Sequence, residues 1–166
     1  RQILAQPFSQ PNFARRVLSA QLPRLPERKL LADNAAAAEK IFRAGVAPGF
    51  RDTDAYFQNA TLRREAMQVD KVAHLSCEYL RWPFRSRFRP EGVRFERTFP
   101  ATTPVPLLAV DGNMDPTYDE SLAEKSARRA DTAELKVLYG VGHYPHVEDP
   151  PCVAEILRAH IGTEQR

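Results

Sequence analysis

The sequence predicts an α/β fold in its C-terminal part, residues 103–166, preceded by a helical region, residues 1–102. Two short apolar runs, 105–112 and 133–140, are typical of buried strands, and an amphipathic segment of helical spacing follows each. Before residue 103, apolar residues recur at helical spacing and no convincing strand occurs. These observations predict an all-helical region followed by two βα units.

The helical region is predicted to contain several helices separated by prolines. Apolar residues at helical spacing occupy 13–22 and 27–45, and Gly45 is a suitable C-cap for the second segment. Segment 52–84 contains long amphipathic stretches, with Asp52 or Asp54 as the predicted N-cap. The separating prolines are Pro23, Pro26, Pro48, Pro83 and Pro90.

The C-terminal region alternates strand and helix. The run "VPLLAVDG" (105–112) is followed by an amphipathic segment (116–130) that has proline in its first turn. The run "AELKVLYG" (133–140) is followed by a segment that begins with two prolines and stops at Gly162. This order predicts a right-handed βαβ unit at one edge of a parallel sheet. Because two strands do not form a stable sheet alone, the region is expected to belong to something larger.

Composition narrows the class of protein. The chain has 166 residues, enough for one domain with its own core. Its net charge of +3 is too small to indicate nucleic acid by itself. Cys77 and Cys152 lie outside any metal-ligand spacing, which suits a reducing cytosol but leaves one disulfide open. No apolar run reaches the roughly 18 residues of a membrane span, and no signal peptide is visible. We expect a cytoplasmic protein with no membrane contact.

Two polar loops follow the predicted strands and contain the candidate site. "DGNMDP" (111–116) follows the first strand, and "GVGHYPH" (140–146) follows the second. Ligands bind beyond the carboxyl ends of parallel strands, so Asp115 and His143 are predicted on adjacent loops at one edge of the sheet. A carboxylate that accepts a hydrogen bond from an imidazole fixes its tautomer and stabilises the imidazolium formed in catalysis. Spacing alone leaves ordinary turn roles open, and Asp111 is the competing acid.

Segment 104–161 resembles the C-terminal end of α/β-hydrolase-fold enzymes. In that family the penultimate strand leads into an h-x-G-x-x-D loop, and the last strand leads into G-x-G-H-x-x-H-x-E-x-P. The matching residues here are Gly112 and Asp115 for the first motif, and Gly140, Gly142, His143, His146, Glu148 and Pro150 for the second. The resemblance implies that Asp115 is the acid of a catalytic triad and that His143 is its general base.

The helical region resembles the cap of epoxide-hydrolase-like members of the same superfamily, in "AQLPRLPERKL" (20–30) and "EYLRWPFRSRF" (78–88). Such enzymes hold the epoxide oxygen with two cap tyrosines. Tyr79 falls where one is expected, whereas the other position falls near Arg16. Tyr79, Trp82 and Phe84 are predicted to line the pocket for a small-molecule substrate, with core packing as the alternative.

The family nucleophile has no counterpart in the chain. No serine has glycines at both ±2 positions, so the G-x-S-x-G elbow is missing, and no aspartate lies on a strand-to-helix elbow. The chain also lacks an initiator Met, so we expect it to begin downstream of its gene's start. The resemblance implies an ester or epoxide hydrolase whose nucleophile, oxyanion hole and first strands lie on an N-terminal half, either in the same polypeptide or in a separate chain. We expect this chain to be inactive alone, and we expect no cofactor.

A metal site is an alternative for the second loop. His143, His146 and Glu148 are possible ligands, but Pro145 keeps the histidines off one helical face and no HExxH pattern occurs. No metal is therefore predicted. Glu148 and Asp149 are instead predicted to cap the last helix, where negative charge is favourable.

A basic and aromatic patch covers residues 81–97. Six arginines (Arg81, Arg85, Arg87, Arg89, Arg94 and Arg97) alternate with Trp82, Phe84, Phe88 and Phe95. Such a surface can bind nucleic acid, but a solvated cap face with arginines over packed aromatics is favoured. The alternative function is a degenerate, non-catalytic hydrolase or a basic module that binds an acidic partner.

Overall fold

The computed structural model describes residues 11–117 and 120–163 of the chain. It contains mostly helices and one two-stranded parallel sheet, in agreement with the predicted α/β class. The helices are α1 (Pro11–Ala20), α2 (Leu25–Gly45), α3 (Asp54–Gln68), α4 (Val72–Arg85), α5 (Pro90–Thr98), α6 (Glu120–Ala127), α7 (Pro145–Glu148) and α8 (Pro150–Thr163). The strands are β1 (Leu107–Gly112) and β2 (Ala133–Leu138), and two 3₁₀ turns span Pro48–Phe50 and Ser86–Phe88.

The chain forms two compact units. Unit 1 comprises Arg1–Lys40 and Ala60–Phe99, and unit 2 comprises Ile41–Asn59 and Pro100–Arg166. Residues 41–59 thus belong with the C-terminal segment by their contacts, although they precede residue 103 in the sequence. The predicted domain division at 102/103 stays a prediction.

Unit 1 is helical wherever the structure describes regular elements in it, and a buried arginine holds it together. Arg81 on α4 is 3% exposed. Its guanidinium donates to the carbonyls of Ala20 and Leu22, at 2.6 and 2.9 Å. It also pairs with the carboxylates of Glu27 and Glu78, at 2.5 and 3.0 Å. Arg81 therefore joins α4 to α1, to the following turn and to the start of α2.

Two boundaries in the helical region differ from the prediction. The predicted helix 27–45 is interrupted, because Asp33, Asn34 and Ala35 have positive φ. Asn and Asp tolerate this left-handed region better than most residues, and the carbonyl of Asn34 accepts a hydrogen bond from Arg64. The N-cap predicted at Asp52 or Asp54 is Thr53, whose hydroxyl accepts the backbone N–H of Tyr56 at 3.1 Å.

Unit 2 contains the sheet and a small aromatic core. The two strands pair in parallel, with Leu107 opposite Ala133 and Gly112 opposite Leu138. Helix α6 lies between them in sequence, as in a βαβ connection. Phe42 and Tyr56 are fully buried, with stacked rings 5.4 Å apart. None of the described helices is both long enough and apolar enough to cross a membrane.

Candidate active site

The two strand-end loops lie side by side because the strands pair in register up to their last residues. Gly112 ends β1 opposite Leu138, the last residue of β2. Beyond that point the loops bond to each other: Asn113 donates its N–H to Leu138, and Met114 donates to Val141, both at 2.9 Å. The parallel register therefore places residues 113–117 next to residues 139–143.

Asp115 and His143 meet at this edge of the sheet. The His143 Nδ1 lies 2.7 Å from the Asp115 Oδ2. The Asp115 side chain is 8% exposed, whereas that of His143 is 49% exposed. The second oxygen of Asp115 accepts both the backbone N–H and the hydroxyl of Thr117, each at 2.7 Å. Both carboxylate oxygens are thus occupied, and one of them faces the imidazole.

The charge state of Asp115 suits this geometry. Burial raises the pKa of Asp115, but the hydrogen bonds from His143 and Thr117 outweigh burial and hold the pKa below its usual range. The carboxylate is therefore ionised at neutral pH and accepts the proton on Nδ1, which fixes the tautomer. In the described part of the chain the hydrogen-bond contacts of the His143 ring are at Nδ1, to Asp115 at 2.7 Å and to the Thr117 hydroxyl at 3.3 Å, and none reaches Nε2.

Asp111, the competing acid, has a different environment. Burial and the neighbouring charge of Asp115 raise its pKa above the usual range, and His143 only partly offsets this rise. Of the two carboxylates, Asp115 is the one that hydrogen-bonds to the imidazole.

Two glycines allow the loops to approach closely. A Cβ on Gly112 would collide with the backbone carbonyls of Val141 and Gly142. A Cβ on Gly142 would collide with the backbone of Gly45–Ala47. Both glycines occur in the motifs singled out from the sequence, and both are needed because backbone packs directly on backbone.

Glu148 has a role that the sequence did not predict. Its Oε2 accepts the backbone N–H groups of Ala47 and Gly142, at 2.8 and 2.9 Å. Its Oε1 accepts the N–H of Tyr144 at 3.1 Å. The prediction that Glu148 caps the last helix is wrong. Glu148 ends α7, and its carboxylate bonds instead to the loop after β2, residues 140–146 (the histidine loop). Asp149 does cap α8, accepting the N–H of Cys152 at 3.2 Å. The position of Glu148 six residues after Gly142, in the matched motif, was the available signal.

The chain is similar in fold to several solved structures, although its sequence matches no known family. No protein-family model matches the sequence, and no curated protein matches it either. Among solved structures, Cfl2 from Burkholderia cenocepacia has a TM-score of 0.68 and 18% identity, covering 91% of this chain and 49% of that one. The 2-hydroxy-6-oxo-6-phenylhexa-2,4-dienoate hydrolase BphD from Rhodococcus sp. strain RHA1 has a TM-score of 0.56 and 16% identity, covering 84% and 49%. CarC, a serine hydrolase involved in carbazole degradation, has a TM-score of 0.53 and 18% identity, covering 79% and 48%.

The chain has the fold of the C-terminal half of an α/β-hydrolase. It spans about half the length of each of these solved structures. At this level of identity the similarity concerns the fold alone.

The three predicted substrate residues all lie on α4, in unit 1. Tyr79 is 81% exposed. Trp82 is also exposed, and the guanidinium of Arg89 lies over its ring at 5.8 Å. Phe84 packs against Phe88 with ring centroids 5.8 Å apart. Their role in lining a pocket stays a prediction.

The other three histidines have different surroundings from His143. His74 lies 3.4 Å from Glu27, and His160 lies 3.6 Å from Glu134. His146 is exposed on α7, three residues after His143. Within residues 11–117 and 120–163, no three His, Cys, Asp or Glu side chains form a group that could hold a metal ion.

Proposed function

We propose that the chain supplies the acid, the general base and the cap of a hydrolase that cleaves an ester or an epoxide. The observation that carries the proposal is the 2.7 Å contact between Asp115 and His143 Nδ1, with Nε2 directed to no described partner. An ionised carboxylate on Nδ1 makes Nε2 the proton acceptor and stabilises the imidazolium that forms. The α/β-hydrolase fold, with the dyad on its strand-end loops, supports this assignment.

Two nucleophiles fit this histidine, and both belong to an N-terminal half outside these residues. With a serine nucleophile, His143 takes the hydroxyl proton as the oxygen attacks an ester carbonyl, then returns it to the leaving alcohol. With an aspartate nucleophile, the carboxylate opens an epoxide to a covalent ester. His143 then removes a proton from the water that hydrolyses this ester. The N-terminal half belongs to the same polypeptide or to a separate chain, and the present chain is inactive without it.

The helical region completes the proposal as the cap of a cytoplasmic enzyme. Tyr79, Trp82 and Phe84 contact the small-molecule substrate from α4, and the Tyr79 hydroxyl donates to the epoxide oxygen if the substrate is an epoxide. The high exposure of Tyr79 supports this role, since the residue is accessible to a ligand. No metal or organic cofactor takes part in either reaction.

The test uses the full-length protein that carries this chain, assayed with p-nitrophenyl esters and with aryl epoxides. We expect His143→Ala and Asp115→Asn to lower kcat by about 10³- to 10⁴-fold, because each removes an essential part of the proton relay. The matched control is His146→Ala, which changes an exposed histidine on α7 three residues after His143 and should leave kcat within about twofold. Wild-type kcat in the His143→Ala variant would refute the proposed function.

A second candidate function is a basic module that binds an acidic partner. A groove of about 600 Å³ in unit 1 is lined by Arg87, Arg89, Arg94 and Arg97, with Phe88, Pro90, Val93 and Thr98. None of the described lining residues is acidic, and although Arg87 lies 3.7 Å from Glu96, the concentration of arginines favours an anionic ligand. Binding of a labelled oligo-glutamate peptide measures this function by fluorescence anisotropy. We expect a paired Arg94→Ala and Arg97→Ala change to weaken binding at least tenfold, and Arg158→Ala on α8 to leave it unchanged. Equal affinity of the peptide for all variants would refute this second candidate function.

A further inference from the structure

The carboxylate of Glu148 lies at the centre of a group of backbone hydrogen bonds around His143. It accepts the N–H groups of Gly142 and Tyr144, the residues immediately before and after His143. It also accepts the N–H of Ala47, which directly precedes the 3₁₀ turn Pro48–Phe50. The backbone N–H of His143 itself donates to the carbonyl of Gly45 at 2.9 Å. The main chain of three successive residues is thus held in place.

The environment makes a carboxylate the fitting side chain at this position. Ala47 and Gly142 are buried, so their N–H groups need acceptors from the protein. A carboxylate has two oxygens that only accept, and it can therefore satisfy three donors at once. Bonds to an ionised acceptor are also stronger than bonds between neutral groups. An amide would direct its own donors at one of these N–H groups.

Close packing supports the same assembly. Gly142 approaches the backbone of Gly45–Ala47 so closely that a Cβ would collide with it. The Tyr144 ring lies 5.1 Å from Phe42 and 4.9 Å from the imidazole of His143. The histidine loop therefore rests on residues 42–47, and the three bonds of Glu148 join the two segments.

We propose that Glu148 is a positioning residue for His143. It acts through the backbone of residues 142–144 and holds the imidazole at the distance and angle from which Nδ1 donates to Asp115. Asp115 then sets the tautomer, while Glu148 sets the place of the ring. Its catalytic consequence rests on the proposed hydrolase function, but its effect on the His143–Asp115 contact does not. Displacement of a catalytic group by about 1 Å can cost a factor of about 100 in rate.

The experiment compares Glu148→Gln with Glu155→Gln in the full-length protein. Glu155 is an exposed residue of α8, so the control removes the same charge from the neighbouring helix. Long-range ¹H–¹⁵N NMR of the histidine rings reports the tautomer of His143 and the proton on Nδ1. We expect Glu148→Gln to mix the tautomers and weaken the Nδ1 proton signal, and Glu155→Gln to change neither. Unchanged His143 signals in a folded Glu148→Gln protein would overturn the proposal.

Kinetics separate this proposal from the function on which its catalytic part rests. We expect Glu148→Gln to lower kcat about 10- to 100-fold, with KM within about twofold, because a displaced base slows chemistry rather than binding. If His143→Ala abolishes hydrolysis and Glu148→Gln leaves kcat at the wild-type value, the positioning proposal fails and the function stands. If His143→Ala retains wild-type kcat, the function fails, and the NMR signals of His143 still decide the role of Glu148.

A second variant covers the case in which Glu148→Gln does not fold. Glu148→Asp keeps both acceptor oxygens but draws them back by one methylene group. We expect a folded protein with kcat lowered at least about fivefold and with the Nδ1 proton signal shifted. An unchanged kcat together with an unchanged His143 spectrum would overturn the proposal for this variant as well.

Discussion

Replacing Arg81 by methionine tests the contact that joins the helices of unit 1. The guanidinium is buried and donates to two backbone carbonyls and two carboxylates. Methionine keeps much of the side chain's apolar volume but removes every donor. The Glu27 side chain, which is 15% exposed, would lose its buried partner. Its Oε2 already has no hydrogen-bond partner among the described residues.

The expected loss of stability in Arg81→Met follows from the pKa of Glu27. The hydrogen bond from Arg81 is the largest of several contributions that together outweigh burial and lower this pKa from 4.5 to about 2. A pKa difference of about 2.5, at about 1.36 kcal/mol for each pH unit, corresponds to about 3 kcal/mol of stability at neutral pH, most of which depends on Arg81. Breaking a buried ion pair by removing one partner costs about 3–5 kcal/mol in other proteins, which agrees. The ion pair between Arg81 and Glu27 is a single interaction, so its contribution to stability is counted once and not separately for each residue.

The sign of the pH dependence follows from the lowered pKa. A carboxyl group whose pKa is lower in the folded state stabilises the protein above its unfolded pKa of 4.5. That contribution is lost as the pH falls from 4.5 through about 2, and roughly 1.5 kcal/mol of it remains at pH 3. The cost of Arg81→Met should therefore shrink between pH 7 and pH 3.

Urea denaturation of the full-length wild-type and Arg81→Met proteins at pH 7 and pH 3 measures the cost of the substitution at each pH. The matched control is Arg85→Met, one turn further along α4, whose side chain is 40% exposed and lies 3.8 Å from Glu78. An exposed pair of this kind contributes at most about 1 kcal/mol. A cost of Arg81→Met below about 1 kcal/mol at pH 7, or an equal cost at both pH values, would refute the reasoning.

Three further predictions concern unit 2 and the cysteines. Gly142→Ala should destabilise the protein by about 1–3 kcal/mol in thermal unfolding, because its Cβ would collide with backbone. Gly162→Ala, where a Cβ meets nothing within 4 Å, should stabilise it by up to about 1 kcal/mol, and the reverse order would contradict the packing. Asp115→Asn should lower stability above about pH 4 and lose this effect below it, since the pKa of Asp115 is lowered on folding; a constant difference from pH 7 to pH 3 would argue against this. A thiol reagent at pH 7 should label Cys152 well before Cys77, because burial raises the pKa of Cys77 and leaves it 2% exposed; equal labelling rates in the native protein would show that Cys77 is accessible.

Much of the candidate site could be predicted from local sequence. The apolar runs predicted both strands, which the structure places at Leu107–Gly112 and Ala133–Leu138. The loops after them predicted that Asp115 and His143 lie near each other, and the structure brings these side chains into hydrogen-bond contact. The catalytic roles of the two residues stay predictions.

Features that depend on individual side-chain contacts were missed. Thr53 rather than a neighbouring aspartate caps α3, because the cap depends on which side chain reaches the first free N–H groups. The left-handed turn at Asp33–Ala35 interrupts a segment with continuous helical spacing, and its carbonyl is bonded by Arg64, thirty residues further along. Helical periodicity carries no information about either contact.

The sequence by itself determined the order of strands and helices and the residues that occupy the two strand-end loops. Hydrophobic period, proline and glycine act over a few residues, so they can be recognised without the fold. Only the tertiary structure decided that Glu148 bonds to the histidine loop rather than capping the last helix. The N–H of Ala47 lies 101 residues away from Glu148 in sequence. That hydrogen bond exists because the chain packs residues 45–47 against Gly142, and an acceptor is needed wherever packing buries a backbone N–H.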